Sequence, residues 1–252
     1  MLSKNQIKLI RSLDLKKNRK REGLFVAEGP KVVSDLLRAN YIPHSIFVCG
    51  SWQTVKDEGN IVQQITEDEL RRISFLQHPQ DVLAVFKIPD SHQGGSANQQ
   101  ASGHLSLALD GVQDPGNLGT IVRIADWFGI DTIYCSLDTA DVYNPKVVQA
   151  TMGSLAHVCI VYCDLVELIR QADCPIYGTL LDGQNLYQQE LTPDGIIVMG
   201  NEGNGISPEV RKLITRKLLI PNYHQGSETA ESLNVAIAAA VTCAEFQRRL
   251  HR

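Results

Sequence analysis

Two side chains suited to chemistry, Asn117 and Arg123, lie within residues 110–125 of this chain. An amide can donate and accept hydrogen bonds, and a guanidinium grips a phosphate through two parallel N–H groups. Asp114 and Pro115 precede them and are residue types that begin helices, whose first backbone N–H groups are free to bind an anion. The stretch therefore predicts an anion-binding turn, with an ordinary strand-to-helix connection and a surface arginine as the open alternative.

A glycine-rich segment, Gly-Asn-Glu-Gly-Asn-Gly at residues 200–205, is the second candidate. It has neither the glycine spacing of dinucleotide-binding folds nor the Gly-Lys-Ser/Thr of phosphate-binding loops. Glycine lets a ligand approach the bare backbone closely, and Glu202 offers a carboxylate at the rim. The segment predicts a ligand-contacting loop, with a turn and a surface carboxylate as the alternative.

Short apolar runs that predict buried strands precede the candidate loops, at 105–109, 196–199 and 218–220, and a further strand at 176–181 is expected to end in a turn at 180–183. Helical patterns alternate with these runs, which is typical of an α/β fold with a parallel sheet. Because ligands bind at the carboxyl ends of parallel strands, we expect the loops to converge.

Residues 1–89 show a similar alternation and predict a separate small α/β domain. Residues 90–104 are rich in glycine, serine and glutamine and lack the apolar residues of a core, which is typical of a flexible linker. The expected organisation is therefore a first domain at 1–89, a linker at 90–104 and a second domain at 105–252.

Positive charge is concentrated near the N-terminus, although the whole chain carries a net charge of −4. Residues 1–40 hold ten Lys or Arg against four Asp or Glu, a balance of +6, which leaves −10 for the remainder. A localised basic face favours contact with a polyanion such as RNA. The densest part is interpreted as an exposed basic loop, with a merely solvated loop as the alternative, and comprises Lys16, Lys17, Arg19, Lys20 and Arg21.

The composition excludes several classes of protein. A chain of 252 residues with 43% hydrophobic residues is typical of a globular protein, and no apolar run approaches the ~18 residues of a membrane span. The N-terminus lacks the apolar core of a secretory signal, so we expect a cytoplasmic protein. Six cysteines without paired spacing, and seven histidines that do not group with them, favour buried reduced thiols over disulfides or a metal site.

Three ordered motifs together resemble those of the SpoU, or TrmH-like, RNA 2′-O-ribose methyltransferases of the SPOUT superfamily. The motifs are Asn117-x-Gly-x-x-x-Arg123-x-Ala, Gly200-Asn-Glu202-Gly-x-Gly-Ile, and Ile220-Pro221 followed by Ser232-Leu-Asn234-Val. The likeness covers essentially all of residues 105–250. The N-terminal part, with its basic segment, Phe25 and Glu28-Gly29, is similar to the family's RNA-substrate-binding domain.

The resemblance implies a C-terminal trefoil-knotted parallel-sheet SPOUT domain, preceded by a small α/β RNA-binding domain like a ribosomal protein. It also implies a homodimer with its active site at the subunit boundary, and S-adenosyl-L-methionine bound in the knot. By the same resemblance, the cofactor-binding residues are Leu180, Gly200, Ile220 and Leu233. The residues linked to catalysis are Asn117, Arg123, Glu202, Ser232 and Asn234.

The implied reaction is an in-line attack of a ribose 2′-OH on the cofactor's methyl carbon, which requires alignment and a way to manage the hydroxyl proton. A guanidinium is effectively always protonated, so we assign Arg123 to the neighbouring phosphate and to the developing alkoxide rather than to a base. Asn117 and Glu202 would orient Arg123 or the ribose, and Ser232 and Asn234 would organise the knotted loop. The proton acceptor stays open.

The expected substrate is rRNA rather than tRNA, because a separate substrate-binding domain precedes the catalytic one. Arg123 and the basic segment are the expected RNA contacts, and neither DNA nor a membrane is expected as a partner. The alternatives are a tRNA methyltransferase, a non-catalytic RNA-binding or ribosome-assembly protein, and a small-molecule enzyme with a Rossmann sheet. The absent dinucleotide motif disfavours the last of these.

Two features depart from the family pattern. Gln149 stands where many relatives carry an arginine, which weakens any expectation of a phosphate contact there. The loop at 222–231 is longer and more polar than usual, and its His224 and Glu228 are expected to be surface residues.

Overall fold

The computed structural model describes residues 1–52, 61–89, 103–224 and 231–250. The chain forms two compact units, which are Met1–Asp90 with Asp141–His157, and Ser91–Ala140 with Val158–Arg252. Most of the expected linker lies outside the described residues, so the domain boundaries stay a prediction. The segment 141–157 was expected within the second domain, whereas it belongs to the first compact unit.

The helices and strands alternate much as the sequence patterns predict. In chain order they are α1 (Lys4–Ser12), α2 (Lys16–Glu22), β1 (Leu24–Glu28), α3 (Pro30–Arg38), β2 (Pro43–Val48), β3 (Val62–Gln64), α4 (Glu67–Ile73), β4 (Val82–Lys87), β5 (Leu105–Asp110), α5 (Pro115–Trp127), β6 (Thr132–Cys135), α6 (Pro145–Thr151), β7 (Cys159–Tyr162), α7 (Leu165–Gln171), β8 (Ile176–Asn185), β9 (Gly195–Gly200), α8 (Pro208–Arg211), β10 (Arg216–Leu219) and α9 (Val235–Leu250). Within the described ranges, no helix combines the length and apolar character needed to cross a bilayer.

The first unit is built on a four-stranded sheet with the order β1-β4-β2-β3. β4 pairs antiparallel with β1 and β2, and β3 joins β2 in parallel. Side chains of the sheet, α1 and α4 form one hydrophobic core, which includes Ile10, Leu13, Phe47 and Ile73. Ser3 begins α1 with a reciprocal capping box, which satisfies two backbone donors at the helix start.

The basic run forms helix α2, whereas the sequence predicts a loop there. Helix α2 begins at Lys16 and ends before Gly23, whose left-handed φ of 65° closes the helix. Its exposed charged side chains are Lys16, Lys17, Lys20 and Arg21. Arg21 forms an ion pair with Glu22 at 2.8 Å, which is weak because it is exposed, so all four side chains can meet a polyanion.

Arg19 differs from its neighbours because only 2% of its side chain is exposed. Its Nη1 donates to the carbonyl oxygens of Leu13 and Asp14, both at 2.7 Å. Its Nε and Nη2 donate to Asp141 Oδ2 at 3.0 and 2.6 Å. The expectation that Arg19 contacts RNA is therefore wrong, because its guanidinium is buried and hydrogen-bonded within the protein.

The ion pair with Arg19 ties the segment 141–157 into the first unit. Within this segment, the ring of Tyr143 packs with its centroid 4.6 Å from that of Phe25. Helix α6 follows, with the Asn144 side chain as its N-terminal cap, and it contacts β1. The segment thus contributes to the core of a unit whose sheet lies far earlier in the chain.

The second unit contains a six-stranded parallel sheet with the order β10-β8-β9-β5-β6-β7. Ala108 and Val198 share a buried cluster with residues of α7 and α8 on one face. Because side chains alternate along a strand, Leu107 and Ile197 lie on the opposite face, where α5 and α9 contact each other. The parallel α/β architecture that the sequence predicts is confirmed.

The strand order reverses between the neighbouring strands β5 and β9. Strands β6 and β7 lie on one side of β5. Strands β9, β8 and β10 lie, in that order, on its other side. Open parallel sheets bind ligands in the crevice at such a reversal, beyond the carboxyl ends of the strands. The loops after β5 and β9 occupy this position.

All six cysteines are free, and Cys135 and Cys243 are buried. Burial raises the pKa of the Cys243 thiol to about 12, so this thiol is neutral at physiological pH. Cys159 is exposed, and the expectation of burial is wrong for this residue. It begins β7, which is an edge strand with a neighbour on one side only.

We expect Arg19→Ala to lower the free energy of unfolding by about 3–5 kcal/mol, because it leaves Asp141 without its buried partner. Lys20→Ala removes an exposed charge at the next position and should stay within about 0.5 kcal/mol of the parent protein. Urea unfolding followed by circular dichroism measures both values. Equal stabilities of the two variants would contradict a structural role for Arg19.

Candidate active site

The end of β5 and the first turn of α5 place Asn117 beside the glycine loop. Asp110 ends β5 opposite Gly200 in the β5–β9 register, and its Oδ2 accepts a hydrogen bond from Ser207 N at 2.7 Å. Asp114 caps α5 by accepting from Asn117 N at 2.8 Å. Asn117 is thereby fixed in the first turn of the helix with its side chain free to bind elsewhere.

Three of the five residues expected in catalysis are joined by hydrogen bonds. Asn117 Nδ2 donates to Glu202 Oε1 at 2.8 Å, and Asn234 Nδ2 donates to Asn117 Oδ1 at 3.0 Å. An ionised carboxylate only accepts, so Asn117 must present its NH₂ group to Glu202 and its carbonyl to Asn234. This hydrogen-bonded chain links the loops after β5 and β9 with the start of α9.

Asn234 also forms the N-terminal cap of α9. Its Oδ1 accepts from Ala236 N at 2.9 Å and from Ile237 N at 3.3 Å. A side-chain cap of this kind contributes about 1 kcal/mol. Both ends of the Asn234 amide are therefore bonded, and the residue before it, Leu233, is held at the same place.

Asn201 shapes the glycine loop, although sequence reasoning did not single it out. Its Oδ1 accepts from Gly203 N at 2.9 Å and Asn204 N at 3.0 Å, and its Nδ2 donates to Gly111 O at 2.7 Å. An asparagine that accepts from backbone N–H groups two and three residues later is typical of turns. The Asn-x-Gly spacing at 201–203 could therefore have indicated this role of Asn201. Asp110 was also missed, because a strand-end aspartate has no local signature of its partner.

Gly200 is required by the close approach of two backbone segments. A Cβ at this position would lie 2.3 Å from both Gly205 C and Ile206 N. At Gly203 the nearest atom that a Cβ would meet among the described residues is Asn201 Oδ1, at an ordinary contact distance of 3.6 Å. The loop therefore needs glycine at its first position and tolerates a side chain at its fourth.

Strand β8 continues to Asn185, whereas the sequence predicts a turn at 180–183. Lys217 of β10 pairs with Gly178, whereas the next residue, Leu218, pairs with Gln184. Residues 179–183 thus leave the β8–β10 ladder before β8 resumes. At Gly183 the returning strand approaches so closely that a Cβ would lie 2.6 Å from Leu218 C.

The four residues expected to bind the cofactor lie near one edge of the sheet. Leu180 is in the excursion of β8, Gly200 ends β9, Ile220 directly follows β10, and Leu233 lies two residues before α9. Strands β10, β8 and β9 are adjacent and parallel, so their carboxyl ends share this edge.

Apolar side chains remain exposed around the same edge. Leu181 in the β8 excursion is 73% exposed, Leu233 is 51% exposed, and Ile237 in the first turn of α9 is 52% exposed. Exposed apolar side chains on these segments suit a ligand with a flat apolar part. In the part of the chain that the structure describes, no group of three or more His, Cys, Asp or Glu is placed to hold a metal ion.

Arg123 and Ser232 are not part of the hydrogen-bonded chain. Arg123 is exposed on α5, six residues beyond Asn117 and thus about 9 Å further along the helix axis. Ser232 is exposed just before Leu233. Among the described residues, neither side chain has a hydrogen-bond or ion-pair partner. Neither Asn117 nor Glu202 is hydrogen-bonded to Arg123, so neither orients it through a direct hydrogen bond.

The two departures from the family pattern are only partly described. His224 is exposed, whereas Glu228 and most of the loop at 222–231 lie outside the described residues. Gln149 is half-buried on α6, within the first unit.

Comparison with known proteins defines the family. The model of the SpoU rRNA Methylase family matches residues 104–244, and the MRM3-like substrate binding domain matches residues 4–84. The first match covers more than half of the chain and contains all three motifs. This chain belongs to the SpoU rRNA methylase family.

Individual relatives resemble the chain along nearly its whole length. The 23S rRNA (guanosine(2553)-2′-O)-methyltransferase RlmP of Bacillus subtilis is 32% identical over 246 residues, which cover 95% of each chain. A TrmH-family structure from Porphyromonas gingivalis is 42% identical, with a TM-score of 0.85 over 99% of both chains. The AdoMet-bound rRNA methyltransferase from Sinorhizobium meliloti is 29% identical, with a TM-score of 0.87 over 99% of this chain and 97% of the other. The expected SPOUT fold with a preceding substrate-binding domain is confirmed.

We expect Gly200→Ala to destabilise the second unit by about 1–3 kcal/mol, the usual range for overpacking, because the backbone at 205–206 must move. Gly203→Ala is the matched control, and its free energy of unfolding should stay within about 0.5 kcal/mol of the parent's. Any small gain would come from the lower conformational entropy that alanine gives the unfolded chain. Urea unfolding of the two variants measures the difference. Equal stabilities would show that the loop accommodates a side chain at its first position.

Proposed function

We propose that this protein transfers a methyl group from S-adenosyl-L-methionine to a ribose 2′-OH of RNA, with rRNA as the substrate. The hydrogen-bonded chain from Glu202 through Asn117 to Asn234 carries the proposal, because it joins the three motif loops at the reversal point of a parallel sheet. Family membership supports methyl transfer, and the 2′-O-methyltransferase of Bacillus subtilis supports the ribose hydroxyl as its target.

The choice of rRNA rests on both units. The Bacillus subtilis relative acts on 23S rRNA and matches 95% of this chain, so its likeness extends through the first unit. Residues 4–84 match a substrate-binding domain, and Lys16, Lys17, Lys20 and Arg21 are exposed there. We assign these four side chains to phosphate contacts that position the RNA without reading its sequence.

The residues at the sheet edge fit S-adenosyl-L-methionine, which when bound supplies an electrophilic methyl group on a sulfonium. Gly200 lets the loop after β9 fold closely onto itself at this edge. Leu180 in β8 and Ile220, directly after the neighbouring β10, are half-buried apolar residues. Leu233 is half-exposed and held by the neighbouring Asn234, so it can cover an adenine. The AdoMet-bound relative from Sinorhizobium meliloti supports the same cofactor.

Arg123 is assigned to the RNA phosphate beside the target ribose and to the developing 2′-alkoxide. Its exposed guanidinium has no partner among the described residues, so its donors are free for bidentate binding. Asn117 and Glu202 hold the loops that receive the ribose, while Asn234 and Ser232 organise the segment around Leu233. A guanidinium stays protonated, so the hydroxyl proton leaves to another group.

The proposal includes a trefoil knot in the second unit, a homodimer and a location in the cytoplasm. The tight return of β8 against β10 at Gly183 supports a threaded C-terminal segment. An active site at the subunit boundary is consistent with an Arg123 side chain that lacks a partner among the described residues of its own chain.

Methyl-labelled cofactor tests the proposal when the protein is incubated separately with undermodified rRNA and tRNA. We expect label in rRNA, at a nucleotide whose 3′ linkage resists alkaline hydrolysis because its 2′-OH is blocked. Label confined to tRNA would overturn the substrate, and label on a base would overturn the ribose as acceptor. Absence of label in any RNA would favour a non-catalytic RNA-binding protein.

We expect Arg123→Ala to lower the rate of methyl transfer by at least about 100-fold, the scale of one lost transition-state contact. Arg170→Ala is the matched control, since Arg170 is an exposed arginine on α7 in the same unit and should leave the rate unchanged. Circular dichroism checks that both variants fold. A fully active Arg123→Ala protein would contradict the assigned role.

A further inference from the structure

The first unit contains a cavity of about 270 Å³ that the proposed methyl-transfer site does not use. Its walls come from β1, the residues after α4, and α6. They are formed by Val26, Glu28, Phe75, Leu76, Pro145, Lys146, Gln149 and Ala150. Phe75 and Gln149 are half-buried and Lys146 is exposed, so the cavity reaches solvent.

Glu28 supplies a carboxylate that is only 5% exposed. Ser74 Oγ donates to its Oε2, and Phe75 N donates to its Oε1 at 2.8 Å. Burial raises the pKa of this carboxyl, although both hydrogen bonds and the charge of Arg11 act to lower it. No lysine or arginine of the described ranges forms an ion pair with Glu28, and its oxygens keep lone pairs for further donors.

Phe75 presents a ring whose position is fixed from outside the cavity. The guanidinium carbon of Arg11 lies 4.8 Å from the centroid of this ring, and Arg11 Nη1 donates to Ser74 O at 2.6 Å. A fixed ring beside a carboxylate acceptor matches the way proteins read single-stranded RNA, by stacking a base and bonding its edge.

We propose that this cavity receives one unstacked nucleobase of the RNA substrate, and that it favours a base with an exocyclic amine. The base packs against Phe75 and its amine donates to Glu28, while Gln149 offers a second polar contact at the mouth. The volume of about 270 Å³ lies just below the ~300–1,000 Å³ of pockets for drug-sized ligands, which suits one ring system. Lys146 is placed to meet a phosphate on either side of this base.

The inference rests on the proposed function, because it takes RNA as the ligand, but its test needs no methyl transfer. Saturation-transfer NMR of the full-length protein with CMP, GMP and UMP reports which base protons touch it. Adenine nucleotides are omitted because the proposed cofactor site takes an adenine. We expect signals from CMP or GMP to exceed those from UMP.

Ala150→Leu fills the cavity and should remove the CMP and GMP base signals. Ala39→Leu is the matched control, since Ala39 is also half-buried in the first unit and does not line the cavity, and its signals should persist. If Ala150→Leu fails to fold, Gln149→Leu at the mouth takes its place. Glu28→Gln should abolish the preference over UMP, because an amide donates as well as accepts.

Fluorescence anisotropy with labelled single-stranded oligonucleotides extends the test to RNA. The Kd for the favoured homopolymer should rise about fivefold or more in Ala150→Leu, the lower end of one lost stacking contact, with little change for oligo(U). Equal base signals for all nucleotides, signals that persist in the filled variant, or an unchanged Kd would each overturn the proposal. A protein that binds as expected but transfers no methyl group would contradict only the proposed function.

Discussion

The proposed active site depends on one amide side chain. Asn117 donates to Glu202 and accepts from Asn234, so it joins segments that lie 85 and 117 positions away along the chain. A lysine or a carboxylate could make only one of these bonds, and a serine has a shorter reach. The parallel sheet brings the three loops to one edge. The hydrogen bonds of Asn117 then fix the positions of these loops relative to each other.

Close backbone packing completes this arrangement. Glycine at 200 lets the loop after β9 fold onto itself, and glycine at 183 lets β8 return against β10. Gly200 is itself assigned to the cofactor, and Gly183 packs against Leu218, two residues before Ile220. The apolar side chains that stay exposed there, Leu181 and Leu233, have no place in a core but are well suited to cover a bound ring. The fold therefore leaves apolar side chains uncovered where the cofactor is proposed to bind.

Much of this could be predicted from the sequence, because the signals are local. Apolar periodicity gives the strands, and their parallel order places the loops together. Arg19 could not be assigned, since its burial depends on Asp141, which lies 122 positions further along the chain. The excursion of β8 depends on its register with β10, which no local pattern encodes. The inclusion of 141–157 in the first unit likewise depends on distant contacts, among them those of Tyr143.

We propose that Asn117 positions the cofactor site through its hydrogen bond with Asn234 rather than by touching the cofactor. A double-mutant cycle with Asn117→Ala and Asn234→Ala, measured as the calorimetric Kd for S-adenosyl-L-methionine, tests this directly. We expect the two changes not to be additive, with a coupling free energy of about 1 kcal/mol or more. Effects that add to within about 0.5 kcal/mol would contradict it, because independent residues do not share one hydrogen-bonded chain.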